Sequence, residues 1–298
     1  MKIYYGIDSN LIDVTDICLT KLTYNNIIII PADDNSRAKC FGDPIVGTVK
    51  MIYLFMSGAL KHYTYEYTIK INMTDNTVTT FHSNDTRDKI LQIHSKLQIK
   101  YGSLFDEFPE QNMAVRYLTG NEKVLEIGGN IGRNTVVIAS ILQDNKNLVS
   151  LECDATIAQQ LTENRDLNNL TFHIENSALS KRTLIQKGWD TIPSDTLQDG
   201  YTWVNTITLD ELKAKYNIVF DTLVLDCEGA FYYILMDMPE ILSNINLIIM
   251  ENDYHDLSHK QYVDGILESN NFYRDYIESG GWGPCYSNFF EVWKKQNL

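Results

Sequence analysis

Three carboxylates in the second half of the chain could carry out acid–base chemistry. Asp226 and Glu228 follow the predicted strand Asp221–Leu225, and Glu251 follows the predicted strand Leu247–Met250. Polar groups that follow parallel strands gather at one edge of a sheet, where ligands bind in open α/β folds. A positioned carboxylate can orient a hydroxyl group or accept its proton. We therefore expect these three side chains to share one catalytic pocket.

Two of these acids also have a structural interpretation. Asp226 could close a turn, and Glu228 could cap a helix that begins near Ala230.

His255 and His259 are four residues apart, a spacing that can hold a metal ion on one helix face. Surface positions are the favoured interpretation for both histidines, because no third histidine lies nearby in the sequence.

The five cysteines are scattered and never form C-x-x-C. This arrangement predicts reduced thiols in a cytosolic compartment and no zinc site. Cys227 is expected to be a packing residue. No metal ion is assigned from the sequence, and the use of a divalent ion at Asp226, Glu251 and Asp253 stays open.

A glycine-rich stretch, Val124–Thr135, predicts a strand, a tight turn and the start of a helix. A dinucleotide fingerprint requires G-x-G-x-x-G. Counted from Gly128, the second and third glycine places hold Asn130 and Arg133, so this fingerprint is absent. The pattern E-x-G-x-x-x-G instead resembles motif I of methyltransferases that use S-adenosylmethionine (SAM). In that motif the acid, here Glu126, faces the ammonium group of SAM; a structural, salt-bridged carboxylate is the alternative.

Two more apolar runs end in polar groups. Asn147–Leu151 predicts a strand that delivers Glu152, and Thr171–Ile174 predicts a strand that leads into Asn176–Ser180. With the strands described above, they predict an α/β domain built on a parallel sheet.

Six ordered motifs across residues 105–295 resemble the FkbM-type methyltransferases. The family pattern is D-x-G-A-N-I-G, E-P-x-P, A-L-S, T-L-D-E, D-x-E-G and a strand that ends in Glu. The matching positions are Glu126–Gly132, Glu152, Ala178–Ser180, Thr208–Glu211, Asp226–Gly229 and Glu251. The chain departs from the pattern at Glu126 (commonly Asp), Gly129 (commonly Ala), Val224 (often Lys) and Cys153–Ala155 (commonly containing prolines). The Val224 difference concerns the acceptor site more than the cofactor site.

This resemblance implies a Rossmann-like class I methyltransferase sheet, mostly parallel with an antiparallel last strand. It implies SAM as the cofactor and methyl transfer to a hydroxyl of a glycan, sugar nucleotide or related metabolite. The implied catalytic residues are Asp226, Glu228 and Glu251. The implied cofactor-binding residues are Glu126, Gly128, Gly129, Asn130, Gly132, Asn134, Glu152, Cys153, Ser177, Ala178 and Asp226, with Glu152 on the ribose hydroxyls.

The composition and net charge limit the classes of partner that we expect. The net charge is −14 and the pI about 4.8, so the protein repels polyanions and a nucleic-acid partner is not expected. The chain starts without a signal-peptide pattern, and no apolar run approaches the ~20 residues of a membrane-spanning helix. We therefore expect a cytoplasmic protein with no membrane partner. Its Asn- and Ile-rich style resembles giant-virus proteins, which would place it in host cytoplasm.

The first part of the chain predicts a separate module. Short runs rich in Tyr, Ile, Thr and Val alternate with turn signals, which is typical of β-strands. We place a small β-rich accessory domain at residues 1–84 and a methyltransferase domain at residues 85–298. Acceptor or carbohydrate recognition, assembly of homo-oligomers, or a cap on the catalytic sheet are the roles considered for this module.

Two segments could form the acceptor side of the pocket. Gly188–Trp203 and Ser279–Tyr286 are predicted as loops, and both carry Trp residues whose flat apolar faces can pack against sugars. An ordinary hairpin with a buried Trp is the alternative for these segments.

Other functions predict features that differ from those of this chain. A DNA amino-methyltransferase is expected to carry N/D-P-P-Y/F where this chain has D-C-E-G. An RNA ribose methyltransferase is expected to carry a Lys-Asp-Lys-Glu set and a basic groove. A protein or RNA methyltransferase and a non-catalytic binding or assembly protein on the same scaffold stay as alternatives.

Overall fold

The computed structural model describes residues 1–24, 26–82 and 84–296, with the side chains of residues 84 and 85 outside that description. The chain divides into two units. Unit 1 comprises Met1–Arg87 and Tyr276–Phe290, and unit 2 comprises Asp88–Asp275 and Glu291–Leu298. The predicted domain boundary, between residues 84 and 85, falls where the side chains are not described and stays a prediction.

Unit 1 is rich in short strands, because its β-branched and aromatic residues suit a pleated, half-buried surface. Its strands are β1 (Lys2–Ile7), β2 (Asn10–Asp13), β3 (Thr23–Tyr24), β4 (Ile27–Ile30), β5 (Met51–Met56), β6 (Ala59–Tyr63), β7 (Tyr67–Asn72) and β8 (Thr77–His82). They form two antiparallel sheets in the orders β2-β1-β5-β6 and β3-β4-β7-β8. Two helices, α1 (Thr15–Lys21) and α2 (Asp34–Phe41), connect strands.

The core of unit 1 draws on both sheets. Ile3 and Ile52 from one sheet and Ile28 and Ile69 from the other are fully buried in one apolar cluster, together with Cys18 of α1. Burial of such side chains is the main force that holds the two sheets together.

The rest of the chain alternates strands and helices. The helices are α3 (Asn84–His94), α4 (Phe108–Tyr117), α5 (Thr135–Ile141), α6 (Ala155–Leu167), α7 (Leu209–Tyr216), α8 (Phe231–Asp237) and α9 (Leu257–Ser269). The strands are β9 (Val124–Ile127), β10 (Leu148–Leu151), β11 (His173–Glu175), β12 (Ala178–Leu179), β13 (Leu184–Lys187), β14 (Asp190–Pro193), β15 (Thr202–Val204), β16 (Thr206–Ile207), β17 (Thr222–Leu225), β18 (Leu247–Glu251), β19 (Phe272–Glu278) and β20 (Phe290–Lys295). Short 3-10 helices occupy Asn145–Asn147, Pro239–Asn244 and Gly283–Asn288.

Seven of these strands form one sheet in the order β11-β10-β9-β17-β18-β20-β19. The first five are parallel to one another. Strands β9, β10 and β17 are buried along their whole length, as expected for a parallel sheet that is covered on both faces.

Strand β20 runs antiparallel to its neighbours. The amide of Lys295, at the end of β20, donates to the carbonyl of Asn246, just before β18. The amide of Gln296 donates to the carbonyl of Asn271, just before β19. The end of β20 therefore lies beside the starts of both neighbours. The predicted fold class, a mostly parallel Rossmann-like sheet with an antiparallel last strand, is confirmed.

Two smaller sheets follow β11. Strands β12 and β16 pair in parallel, and β14-β13-β15 form an antiparallel sheet. The prediction that Gly188–Trp203 is a loop is wrong where β14 and β15 form, because both strands pair with β13. Helix α7 begins at a capping box of Thr208 and Glu211. No helix in the described part of the chain is long and apolar enough to cross a membrane.

Candidate active site

The register of the large sheet brings four strand ends level. Ile127 pairs with Leu151 on one side and Leu225 on the other, and Leu225 pairs with Met250. The next residues along these four strands are Gly128, Glu152, Asp226 and Glu251. Four residues singled out from the sequence are therefore brought together at the carboxyl edge of the sheet, the usual ligand-binding edge of such a fold.

The turn after β9 requires its glycines. Gly128 has φ +91° and Gly132 has φ +93°, a region that side chains with a Cβ rarely adopt. A Cβ on Gly128 would lie 1.6 Å from the backbone oxygen of Asp226. The turn therefore packs directly against the loop that carries the predicted catalytic acid.

The backbone amides of this turn are all engaged within the protein. Gly128 and Gly129 both donate to the carbonyl of Leu151, at 3.0 and 2.9 Å. The amides of Asn130, Ile131 and Gly132 donate to the Glu152 carboxylate, to the Asn130 side chain and to the Gly129 carbonyl. A turn that binds phosphate presents free amides to the anion. This turn presents none at these five positions, so it is not suited to a pyrophosphate.

Glu126 is a buried, hydrogen-bonded carboxylate. Its Oε2 accepts from the hydroxyls of Ser150 at 2.6 Å and Thr135 at 2.7 Å. A Cβ on Gly129 would lie 2.1 Å from the Ser150 hydroxyl oxygen, so glycine is required where the FkbM pattern commonly has alanine. Burial raises the pKa of Glu126 to about 7, although both hydrogen bonds oppose that rise. The predicted contact of Glu126 with an ammonium group stays a prediction.

Glu126→Gln is expected to reduce the pH dependence of stability between pH 4.5 and about 7. The folded state keeps the Glu126 proton up to about pH 7, whereas the unfolded chain releases it near pH 4.5. The stabilisation by this carboxyl is therefore present at low pH and is lost as the pH rises, with a slope of up to about 1.4 kcal/mol per pH unit. Urea unfolding at several pH values, with Glu268→Gln as the exposed control, measures this slope. Equal slopes in wild type and Glu126→Gln would contradict the assignment.

Glu152 joins two loops at the same edge. One of its carboxylate oxygens accepts from the amide of Asn130 at 2.9 Å, and the other accepts from the amide of Asp154 at 2.8 Å. The side-chain amide of Asn176 donates to the carbonyls of Glu152 and Cys153. Glu152 is half-buried, and this burial raises its pKa.

The remaining predicted cofactor residues are more structural in their contacts. Buried Ser177 donates to the Glu175 carboxylate at 3.1 Å, and Ala178 begins β12. Asn134 is buried at the start of α5, and its backbone amide donates to the Glu107 carboxylate at 3.0 Å. Its side-chain Oδ1 accepts no hydrogen bond from the described residues, and this leaves a buried acceptor available to a ligand.

A cluster of carboxyl groups lies on the β17–β18 side of the turn. One oxygen each from Asp226, Glu251 and Asp253 lies within 4.8 Å of the others. Glu110 of α4 shares a side-chain hydrogen bond with Glu251. We refer to Asp226, Glu251, Asp253 and Glu110 as the acid cluster.

Burial and mutual repulsion control the charge of the acid cluster. Burial raises the pKa of Asp226 well above its usual range, and the Asp253 carboxylate raises it further. Burial raises the pKa values of Glu110 and Asp253 to about 7 each. Burial, followed by the charge of Asp226, also raises the pKa of Glu251. Perturbed carboxyl groups of this kind concentrate at functional sites.

Comparison with known proteins leaves the family open. No protein-family description and no curated protein sequence matches the chain. Similar solved structures include a ribosomal protein L11 methylase from Lactobacillus delbrueckii subsp. bulgaricus (11% identity, TM-score 0.41, 66% of this chain and 82% of that one). They also include an O-methyltransferase from Bacillus cereus solved in complex with SAH (17%, 0.40, 71% and 91%). A third is the tRNA m1G37 methyltransferase from M. jannaschii (10%, 0.39, 80% and 61%). At such identities and TM-scores, function has to be argued from the site of this chain.

Other sequence-predicted residues lie around the acid cluster. Glu228 is exposed at φ +49°, and the N-cap of α8 at Ala230 has no side-chain hydrogen bond, so Glu228 does not cap that helix. His259 stacks on Tyr232 with ring centroids 3.8 Å apart, whereas His255 is exposed. Neither histidine belongs to the group of Asp226, Glu251 and Asp253, which is the set of described side chains close enough together to hold a metal ion.

The tryptophans of the β14–β15 segment are not buried. Trp189 is 67% exposed and Trp203 is 49% exposed. The segment is therefore a regular antiparallel structure with exposed rings rather than a hairpin around a buried Trp.

Sequence reasoning missed two acids on and before α4. Glu107 pairs with the Arg133 guanidinium at 2.8 Å, and Glu110 joins the acid cluster. Both flank Pro109 at the start of the helix, and no motif marks them. The available signal was that two acids lie within one helical turn of each other, in the segment that leads into β9.

Proposed function

We propose that this protein is a SAM-dependent O-methyltransferase that acts on a hydroxyl of a glycan, sugar nucleotide or related metabolite. The observation that carries the proposal is the combination of an amide-satisfied glycine turn with acidic side chains along the same edge of the sheet. Such an edge disfavours a phosphate-containing cofactor and favours a cationic one. SAM carries a sulfonium and an ammonium group, and its ribose offers two hydroxyls.

The residues present fit that cofactor. Glu152 has carboxylate lone pairs left after its two backbone hydrogen bonds, so it would accept from the ribose hydroxyls. The unpartnered Oδ1 of Asn134 would accept a hydrogen bond from the bound cofactor. Gly128 and Gly132, through their positive φ angles, would hold the turn in the conformation that lies against it. Cys153, Ser177 and Ala178 remain candidates, because Cys153 follows Glu152 directly and the other two follow Asn176, whose side chain donates to the Glu152 carbonyl.

The bound cofactor supplies an activated methyl group, so the protein needs mainly to position the acceptor and exclude water. Asp226 lies beside the glycine turn and would orient the acceptor hydroxyl or take its proton. Its raised pKa makes it a stronger base than a solvated carboxylate once it is ionised. Glu251 and Glu228 would line the same pocket.

The charge of the protein supports a small or neutral acceptor. A net charge of −14 repels the long phosphate backbones of nucleic acids. Hydroxylated metabolites and glycans carry no such penalty, and a nearby carboxylate can accept the proton of a hydroxyl nucleophile. Transfer of radiolabelled methyl groups from SAM to sugars, sugar nucleotides, RNA and protein tests this choice. Labelling of RNA or protein alone would contradict it.

Glu152→Ala is expected to weaken SAM and SAH binding by at least about tenfold, because hydrogen bonds to a charged group contribute about 1.5–3 kcal/mol each. Calorimetric titration with SAM, SAH and NADH measures this effect. Glu268→Ala, an exposed helix position, is the matched control and should bind like wild type. A folded wild-type protein that binds neither SAM nor SAH would overturn the proposed function and favour a binding or assembly role.

A further inference from the structure

The acid cluster presents carboxylate oxygens from two adjacent strand ends to one point. Asp226 follows β17, and Glu251 and Asp253 lie at and after the end of β18. One oxygen from each lies within 4.8 Å of the other two. Carboxylate oxygens at such spacing can close onto a single hard cation with small side-chain adjustments.

Two buried oxygens in the cluster have no hydrogen-bond donor. Glu110 is 9% exposed and belongs to a different element, α4, yet its Oε2 accepts no hydrogen bond from the described residues. Asp253 is 3% exposed, and its Oδ2 is likewise without a donor. An unpaired buried oxygen is costly, and an unplaced ion or water is a usual explanation. The side chains of Glu110 and Asp253 each share a hydrogen bond with Glu251 inside the cluster, and Glu110 comes from a helix whereas the other three acids lie at or after the ends of strands.

The cluster also has no basic counterpart. Among the described residues, no lysine or arginine forms an ion pair with its four members, and the nearby Arg133 pairs with Glu107 and Asp106 instead. Buried charges are ordinarily paired or coordinate a metal ion. A cation from outside the chain would supply the missing partner.

We propose that Asp226, Glu251 and Asp253 together bind one divalent cation of the Mg²⁺ or Mn²⁺ type, with Glu110 hydrogen-bonded behind Glu251. The ligand set is all oxygen and contains no His or Cys, which disfavours zinc and copper. Three protein ligands leave about half of an octahedral shell open.

The role of the cation rests on the proposed function, although its binding does not. Open coordination positions would accept oxygens of the acceptor, and adjacent hydroxyls of a sugar would fill two of them. A bound cation lowers the pKa of a hydroxyl that coordinates it. Asp226 would then position the acceptor through the cation, and the proton that the coordinated hydroxyl releases would pass to solvent water rather than to Asp226.

Electron paramagnetic resonance of Mn²⁺ tests the site without SAM or acceptor. When the wild-type protein is titrated with Mn²⁺, one ion per chain should bind and lose the signal of free Mn²⁺. Added Mg²⁺ should compete with Mn²⁺ for that site. Asp226→Asn and Asp253→Asn are each expected to weaken Mn²⁺ binding by at least about tenfold. Asp199→Asn removes the same charge from an exposed turn and should leave binding unchanged.

The location of the bound cation can also be tested in the wild-type protein, so the proposal does not depend on whether a variant folds. Bound Mn²⁺ should broaden the amide NMR signals of residues 226–229 and 251–254 before others. Absence of Mn²⁺ binding, equal binding by wild type and both cluster variants, or broadening elsewhere would each overturn the site. Mn²⁺ binding without SAM binding would reject only the proposed function, and SAM binding without Mn²⁺ binding would reject only the metal site.

Discussion

Asp226→Asn is expected to lower methyl transfer by about 10²-fold or more while SAH affinity stays within a few-fold of wild type. The substitution keeps the shape of the side chain and removes the charge that would orient the acceptor or receive its proton. The glycine turn and Glu152, which would hold the cofactor, are unchanged. Turnover with the acceptor found by methyl-transfer screening, and calorimetry with SAH, separate the two effects.

Stability provides the folding control for this variant. Burial and Asp253 raise the pKa of Asp226, so the ionised carboxylate destabilises the folded state and its removal should not lower the melting temperature at pH 8. Asp199→Asn, which lies in an exposed turn, should keep full turnover. Full turnover in both Asp226→Asn and Glu251→Gln would reject the assignment of the acid cluster to catalysis.

Gly128→Ala is expected to destabilise the protein by at least about 3 kcal/mol and to abolish SAM binding. Its φ of +91° strains any residue with a Cβ, and that Cβ would collide with the backbone oxygen of Asp226 at 1.6 Å. The collision cannot be relieved by a side-chain rotation, because both partners belong to paired strands or their ends. Denaturant unfolding measures the loss of stability.

Gly188→Ala isolates the collision from the backbone strain. Gly188 also has a positive φ, +59°, but a Cβ there would meet no atom within 4 Å. Its substitution should cost about 1–2 kcal/mol, the ordinary penalty of a left-handed conformation. Equal destabilisation by the two substitutions would show that the close approach at Gly128 is relieved by movement of the sheet.

The local sequence pattern was sufficient to predict a strand where that strand is buried on both faces. The apolar runs of β9, β10, β17 and β18 are short, continuous and bounded by polar residues, so their existence and their order along the chain are readable. Helix α7 is readable too, because its capping box is local. Parallel pairing then follows from the alternation of strands and helices.

Local pattern fails where an element depends on distant partners. Helix α2 is polar in sequence, and its buried Arg37 donates to the carbonyl of Tyr67, 30 residues along the chain, at 2.7 Å. Strand β19 contains Arg274, whose charge is matched by Glu291 at 3.4 Å. Lys61–Met73 has one alternating pattern, yet its two halves belong to β6 and β7 in different sheets. None of these partners is visible in the sequence around the element.

The sequence by itself determined the glycine turn, the acids that follow the strands and the excess of negative charge, because each depends on residue type and local order alone. Only the tertiary structure decided that Glu110 completes the acid cluster, that Ser150 excludes an alanine at position 129 and that the amides of the turn are already engaged. These facts arise from side chains that are far apart in the chain and are brought together by sheet register and helix packing. That register is set by burial summed over the whole sheet, which no single segment specifies.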